Sequence, residues 1–190
     1  MKKVLVLMIA MGMFLTACGS NEEAEPKEEN EPIQAEKVVA EENESNSTFE
    51  NGVLETEKYT LSVAKTEVIQ SPMEDKQGLF ITFKLTNKTQ DEDIVPDESL
   101  GQLLFQQENE TSRMDLFSNY HFLDAFGEDT ETYNKMVDLS NANANALLPG
   151  KSVEFVQAYT LDNENNDVTF VGVDEITLEP LGDKQTIKIK

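Results

Sequence analysis

Apolar residues along this chain keep period two over several short stretches and hold the helical period over few. Tyr59, Leu61 and Val63 alternate with polar neighbours in "EKYTLSVAKTEVIQS", and the phase changes near Thr66 to Ile69. This predicts a half-buried strand carrying a bulge. "GLFITFKLTNKTQ" gives the clearest strand: Leu79, Ile81, Phe83 and Leu85 share one face, and Phe80, Thr82, Lys84 and Thr86 the other, before a turn beginning at Asn87 and Lys88. "QLLFQQEN" predicts a further strand. Val153, Phe155, Gln157, Tyr159 and Leu161 alternate in "KSVEFVQAYTLD", behind the turn signal Pro149-Gly150. "DVTFVGV" follows an Asx-rich turn, and "KQTIKIK" ends the chain with Ile187 and Ile189 opposed to lysines.

Two stretches break the rhythm. "DEDIVPDESLG" is acidic and interrupted by Pro96, which predicts a loop or a frayed edge strand. Between Arg113 and Leu148, Leu116, Phe117, Tyr120, Leu123 and Phe126 suggest a short amphipathic helix ending at Gly127. "ETYNKMVDL" adds a helical turn or two, and "SNANANALLPG" reads as an irregular polar link. Six or seven short strands with one long, partly helical insertion predict an all-β antiparallel β-sandwich, because the strand–helix alternation of a parallel sheet is missing.

The amino terminus belongs to another class. Lys2 and Lys3 precede Val4–Ala17, fourteen apolar and small residues with one threonine. A transmembrane helix needs about 20 such residues, so residues 1–17 read as a signal peptide, excluded from the fold. Leu15-Thr16-Ala17-Cys18 resembles a bacterial lipobox, with the single cysteine of the chain immediately after the small residue of the cleavage site. The resemblance implies a diacylglyceryl group on the Cys18 thiol and cleavage between Ala17 and Cys18. Two or more acyl chains give firm anchoring where one is marginal. Residues 19–48 carry ten acidic side chains against Lys27 and Lys37, with Pro26 and Pro32 between them. Such composition predicts a disordered tether from residue 18 to residue 48. Its random-coil span is about 30 Å and its full reach roughly 100 Å. A body of residues 49–190 remains, enough for one domain with its own core.

Charge narrows the partners. The formal net charge is −22, and loss of Lys2 and Lys3 takes it to about −24. A nucleic-acid partner is disfavoured, because its backbone demands Lys and Arg. Direct docking on anionic lipid is disfavoured for the same reason, leaving membrane contact to the acylated cysteine. With one cysteine, no disulfide forms within the chain.

A likeness emerges from "FENGVLETEKYTLSVAKTEVI", "GLFITFKLTNKTQ" and "LLPGKSVEFVQAYTLDNENNDVTFVG". These stretches, with Asn51-Gly52, Tyr59, Thr86-Asn87, Gly150 and Tyr159 as their specific positions, resemble a domain family of unknown function found on Gram-positive surface lipoproteins. The resemblance runs from about Phe49 to Ile189 and implies an immunoglobulin-like fold. It brings no catalytic or binding residues. The family has a tryptophan between its second and third strands; this chain has none, and Leu100 is the nearest occupant. The region from Met114 to Asn145 also looks long for the family.

Candidate chemistry is sparse. His121, the single histidine, has Ser118 and Asp124 in its own segment, without a nucleophile turn or a second metal-ligating His or Cys. Asp162, Glu164 and Asn166 in "DNENND" have the spacing of two used by hard-cation loops. Yet Asp167 replaces the required glycine and Val173 the bidentate glutamate, so a self-capping polar turn is the simpler reading. Asp91, Glu92, Asp93, Asp97 and Glu98 form a second acidic cluster, read as solvated surface. Lys184, Lys188 and Lys190 guard the last strand as an edge, or meet a polyanionic wall polymer. No cofactor and no catalytic residue is expected. The sequence predicts a lipid-anchored protein on the extracellular face of the cell membrane, with a non-enzymatic interaction or envelope-associated module. Its partners would be membrane lipid, through Cys18, and a surface protein or wall component. The alternative is a surface lipoprotein that binds a cation at one of the acidic loops or a small ligand in a pocket under the Met114–Leu148 insertion.

Overall fold

A computed structural model describes residues 46–190; the signal peptide, the Ala17–Cys18 junction and most of the acidic tether lie outside the described residues. Two antiparallel sheets stack face to face. The first has β1 (Thr48–Glu50), β2 (Val53–Glu55), β3 (Tyr59–Ile69), β4 (Gly78–Asn87) and β7 (Ser152–Thr160) side by side in that order. The second has the order β6 (Arg113–Asp115), β5 (Leu103–Glu108), β8 (Val168–Gly172), β9 (Gln185–Ile187).

β4 is the axis of the first sheet, paired with β3 from Tyr59↔Asn87 to Ile69↔Gly78 and with β7 from Gly78↔Thr160 to Thr86↔Ser152. The predicted bulge exists, but between Val63 and Lys65, a few residues ahead of the phase change. Leu79, Ile81, Phe83 and Leu85 are all fully buried between the sheets, as their alternation requires. Five phenylalanines bridge the layers. Phe155 stacks on Phe83 at 5.4 Å, Phe83 meets Phe105 of the opposite sheet edge-on at 6.2 Å, Phe105 stacks on Phe170 at 5.2 Å, and Phe49 closes on Phe170 at 5.7 Å.

The fold is mixed rather than all-β, because the insertion builds a third layer. α2 (Thr130–Ala142) is a 13-residue helix, well beyond the turn or two expected. Asp129 caps it, accepting the Glu131 and Thr132 amides at 3.3 and 3.1 Å. Its half-buried residues recur every three to four positions, and Met136 and Leu139 pack on the outer face of the first sheet. There Phe80, Val156 and Ala158 join Ile69, Tyr120 and Phe122 in a second core. Where a pocket was expected under the insertion, these side chains pack together. The amphipathic helix expected over Leu116–Phe126 shrinks to a 3-10 turn at Leu123–Phe126, with Phe117 69 % exposed and Leu116 committed to the main core. Tyr120 replaces helical packing with a long-range anchor: its hydroxyl accepts the Ser71 amide at 2.8 Å, and its ring lies where a Cβ on Gly78 would intrude at 2.5 Å.

The described residues hold nine strands, more than the six or seven expected. The additional ones, β1, β2 and β6, have three residues each, too few to display a period. β1 and β2 form a hairpin through Asn51 and Gly52, both at positive φ (51° and 79°), the geometry an Asn-Gly turn supplies. "DEDIVPDESLG" is neither loop nor strand throughout: Pro96 opens a one-turn helix, α1 (Pro96–Ser99), continued by a 3-10 turn at Leu100–Gln102. Proline suits a first helical turn, where its missing N–H costs nothing. Removing the central ring tests the two-sheet core: Phe105→Ala should destabilise the protein by about 3–5 kcal/mol in urea unfolding, with an unchanged denaturant slope.

Candidate functional site

At one end of the sandwich, called here the near end, β3 and β5 begin while β4 and β8 finish. A cleft of about 420 Å³ opens there among Lys58, Tyr59, Asp93, Ile94, Glu98, Ser99, Gly101, Gln102, Glu175 and Leu178. A neighbouring hollow shares Lys58, Tyr59 and Glu175 and adds Ile176.

Buried polar side chains set the walls. Asn87, 1 % exposed, donates to the carbonyls of Glu92 and Leu147 at 2.8 and 2.9 Å and accepts from the Thr89 amide and hydroxyl at 2.9 and 2.7 Å. It thereby ties the end of β4 to the acidic loop and to the returning insertion. Ile94 and Leu147 exchange backbone bonds of 3.1 and 2.8 Å, and Asn143 clasps α1 through Asp97. Thr56 fixes the start of β3 by accepting the Lys58 and Tyr59 amides at 3.1 and 3.0 Å.

The opposite wall is a tight loop after β8. Asp174 accepts the amides of Ile176 and Thr177 at 2.9 and 2.8 Å and the Thr177 hydroxyl at 3.1 Å. The Leu178 amide donates to the Asp174 carbonyl at 3.0 Å, and Val173 bridges Pro180. Leu178 consequently adopts φ 59°, a left-handed conformation costly for a residue with a Cβ, and is 68 % exposed. Ile176 is 64 % exposed beside it.

Electrostatics in the cleft are negative. Lys58 is engaged by Glu92 at 2.9 Å, an ion pair that raises the ammonium pKa. Burial pushes the Tyr59 phenol well above its ordinary value, and the Glu175 charge adds to the shift. Burial does the same to Tyr159, with Asp97 adding. Gln102 donates to the Glu175 carboxylate at 3.0 Å, while its own buried Oε1 has no hydrogen-bond partner.

The other candidates fall elsewhere. Asp162, Glu164 and Asn166 lie at the far end, on a loop organised by Gln107 rather than around a cation. The Gln107 side chain, fully buried, donates to the Asn163 and Asn166 carbonyls and accepts the Asp162 and Asn163 amides. The Asp162 carboxylate accepts from Asn109 and Asn163, which lowers its pKa; Asn166 turns its amide nitrogen to the Glu108 carbonyl; Glu164 is exposed. Among the described residues, no three His, Cys, Asp or Glu side chains form a group that could hold a metal ion. His121 is held by Glu74, its Nδ1 3.7 Å from the carboxylate and its backbone amide at 3.0 Å, not by Asp124 or Ser118. Lys184, Lys188 and Lys190 meet Gln106, Asp167 and Asn165 of their own sheet region. No helix among the described residues is long and apolar enough to cross a membrane. Sequence reasoning treated Asp93 and Glu98 as solvated surface and passed over Gln102, Glu175 and Leu178; the exposed apolar pair inside "VDEITLEP" was the available signal.

Two predictions follow from this geometry. Leu178→Gly should leave the protein equally stable or raise its stability by about 1 kcal/mol in thermal melts, since strain is relieved and an exposed side chain lost. Both buried tyrosines have raised pKa values, so their full stability is present below pH 10 and declines as pH rises towards the folded-state values. Tyr59→Phe should therefore flatten the alkaline fall in melting temperature above about pH 10.

A protein-family profile described as a domain of unknown function, DUF5067, matches residues 34–174. Among curated proteins none is significantly similar. Solved structures share the fold. A candidate lipoprotein of Staphylococcus aureus subsp. aureus NCTC 8325 is similar at 14 % identity and a TM-score of 0.62, over 76 % of this chain and 93 % of that one. A protein from Enterococcus faecalis, solved by NMR, is similar at 18 % identity and a TM-score of 0.52, over 74 % and 92 % of the two chains. With most of its length matched by the profile, the chain belongs to the DUF5067 family of domains of unknown function.

Proposed function

We propose that this protein is a lipoprotein anchored through acylated Cys18 to the extracellular face of the cell membrane, carrying an immunoglobulin-like sandwich that binds a partner rather than catalysing a reaction. The observation that carries the anchoring is Leu15-Thr16-Ala17-Cys18 directly behind the apolar Val4–Ala17 run. The candidate-lipoprotein description of the Staphylococcus aureus relative agrees with it. The immunoglobulin-like reading is supported by two stacked antiparallel sheets whose chain crosses between them from β4 to β5 and from β7 to β8. Binding is favoured by the near-end cleft, whose volume of about 420 Å³ falls in the range of ligand pockets and whose walls are fixed by buried polar side chains. Catalysis would need a nucleophile and base in mutual reach, whereas His121 is engaged by Glu74 on an exposed surface.

Labelled palmitate fed to cells producing the protein should enter the wild-type chain and not Cys18→Ala, and the variant should leave the membrane fraction. Equal labelling of both, or of neither, would overturn the anchoring.

A further inference from the structure

One edge of the first sheet is only partly covered. β2 pairs with β3 from Glu55↔Thr60 to Val53↔Ser62 and goes no further, while β4 follows the other side of β3 as far as Ile69. Among the described residues, no strand lies along the outer side of Ala64–Val68. Open strand edges attract other strands, and folds commonly guard them with bulges and lysines. Both guards are present here, the bulge between Val63 and Lys65 and Lys65 itself. Yet Glu67 answers the lysine from the same strand face, at 2.8 Å. The stretch Ala64-Lys65-Thr66-Glu67-Val68 therefore carries opposite charges placed evenly about Thr66. Beside this edge runs a groove of about 440 Å³, lined by Ala64, Thr66 and Phe170 and reaching Thr186, Ile187 and Lys188 across the open side of the sandwich.

We propose that this edge pairs with its own counterpart on a second copy of the chain, Ala64–Val68 running antiparallel to Ala64–Val68 about a two-fold axis at Thr66. Charge complementarity sets the register. With Thr66 opposite the partner's Thr66, each Lys65 faces a Glu67 and each Ala64 faces a Val68. Opposite charges and threonine pairs are favourable directly across an antiparallel ladder. A slip of two residues either way would set Lys65 against Lys65 or Glu67 against Glu67, and a slip of one would oppose inward to outward side chains. The faces also match. Thr66 and Val68 pair with Ile81 and Leu79 of β4, which face the interior, whereas Lys65 and Glu67 pair with Thr82 and Phe80 of the outer face. The small, exposed Ala64 stands where the partner's Val68 arrives. A foreign strand lacking this pattern meets an unpaired lysine, so the guarded edge admits its own copy and turns others away. Five residues from each copy make a small contact, so association is weak in dilute solution and strengthened where chains are held close together. The pairing goes beyond the partner-binding reading and uses neither the near-end cleft nor the acyl chain.

The test uses the processed chain, residues 18–190, carrying Cys18→Ser, in about 0.15 M salt to screen the acidity of the two bodies. Sedimentation equilibrium at up to about 1 mM protein should show reversible dimers. Lys65→Glu and Glu67→Lys should each weaken dimerisation at least about ten-fold, because like charges then face each other. An equimolar mixture of the two variants should recover it, since every Glu then faces a Lys, and so should the double variant. Both side chains are exposed, so each variant should melt as the parent does. Disulfide trapping reads the register. On the Cys18→Ser background, Thr66→Cys should oxidise to a covalent dimer at least about ten-fold faster than Lys65→Cys or Glu67→Cys alone, since directly opposed Cα atoms lie about 4.5–5.5 Å apart, within disulfide reach. Lys65→Cys mixed with Glu67→Cys should link as readily as Thr66→Cys. The proposal is overturned by a monomer at about 1 mM, by dimers that tolerate both charge reversals, by mixed variants that stay apart, or by equal trapping at all three positions. Each of these results leaves palmitate incorporation at Cys18 untouched.

Discussion

Phe105 is the residue on which the architecture turns. It stacks on Phe170 within its own sheet, meets Phe83 edge-on across the interior, and has Tyr159 at 4.7 Å. Rings of this kind bury large apolar area and add directional preference beyond it. The sheets need that concentration of contact because several of their strands are short: β1, β2, β6 and β9 have three residues each. The lone cysteine lies outside the described residues, so no disulfide can brace the body. This chain crosses the interior with a relay of phenylalanines and buries Leu100 at the margin.

A first sheet buried on both faces has consequences for function. Its inner face belongs to the phenylalanine relay and much of its outer face to the insertion, through Phe80, Val156 and Ala158. What remains for recognition is concentrated at the ends, and each end is organised by a buried carboxamide. Asn87 at the near end and Gln107 at the far end each make four hydrogen bonds that lock loops distant in sequence. A saturated buried amide rigidifies its surroundings. Gln102 and Asn143 are the same kind of side chain, yet the buried oxygen of each has no hydrogen-bond partner. The contrast within one molecule separates a structural amide from one whose bonding is incomplete.

The legible part of the fold was the part governed by period two. β4 was readable because four consecutive inward positions are large and apolar, and β3, β7 and β9 were placed by the same rule. The three-residue strands were too short for any period, although Asn51-Gly52 announced the first hairpin. The third layer was hidden for a different reason. Phe80, alone among Thr82, Lys84 and Thr86 on its face, looked like an exception on a solvent side, whereas it marks the point where that face is covered. Val156 and Ala158 gave the same hint within β7. The cleft was illegible because its residues come from three separated segments around Tyr59, Gln102 and Glu175, and only the crossing topology brings them together.

The acidity of the chain acquires a local meaning once its cations are placed. Lys58, Lys65, Lys88, Arg113 and Lys188 are each paired with a carboxylate of the same body. Exposed pairs of this kind contribute little to stability, but they neutralise the positive end of each contact and leave the excess negative charge to set the outward field. Screening limits that field to roughly 8–10 Å in physiological salt, so the net charge of −22 acts on a partner only where acidic groups cluster close to its path. At the near end Asp93, Glu98 and Glu175 do so around a concave surface, and concavity focuses a field that a convex surface disperses. The same number of carboxylates spread over the outside would keep the protein soluble and select nothing. Gathered beside an exposed apolar rim, they give the fold a place where sign and hydrophobic contact can be read together.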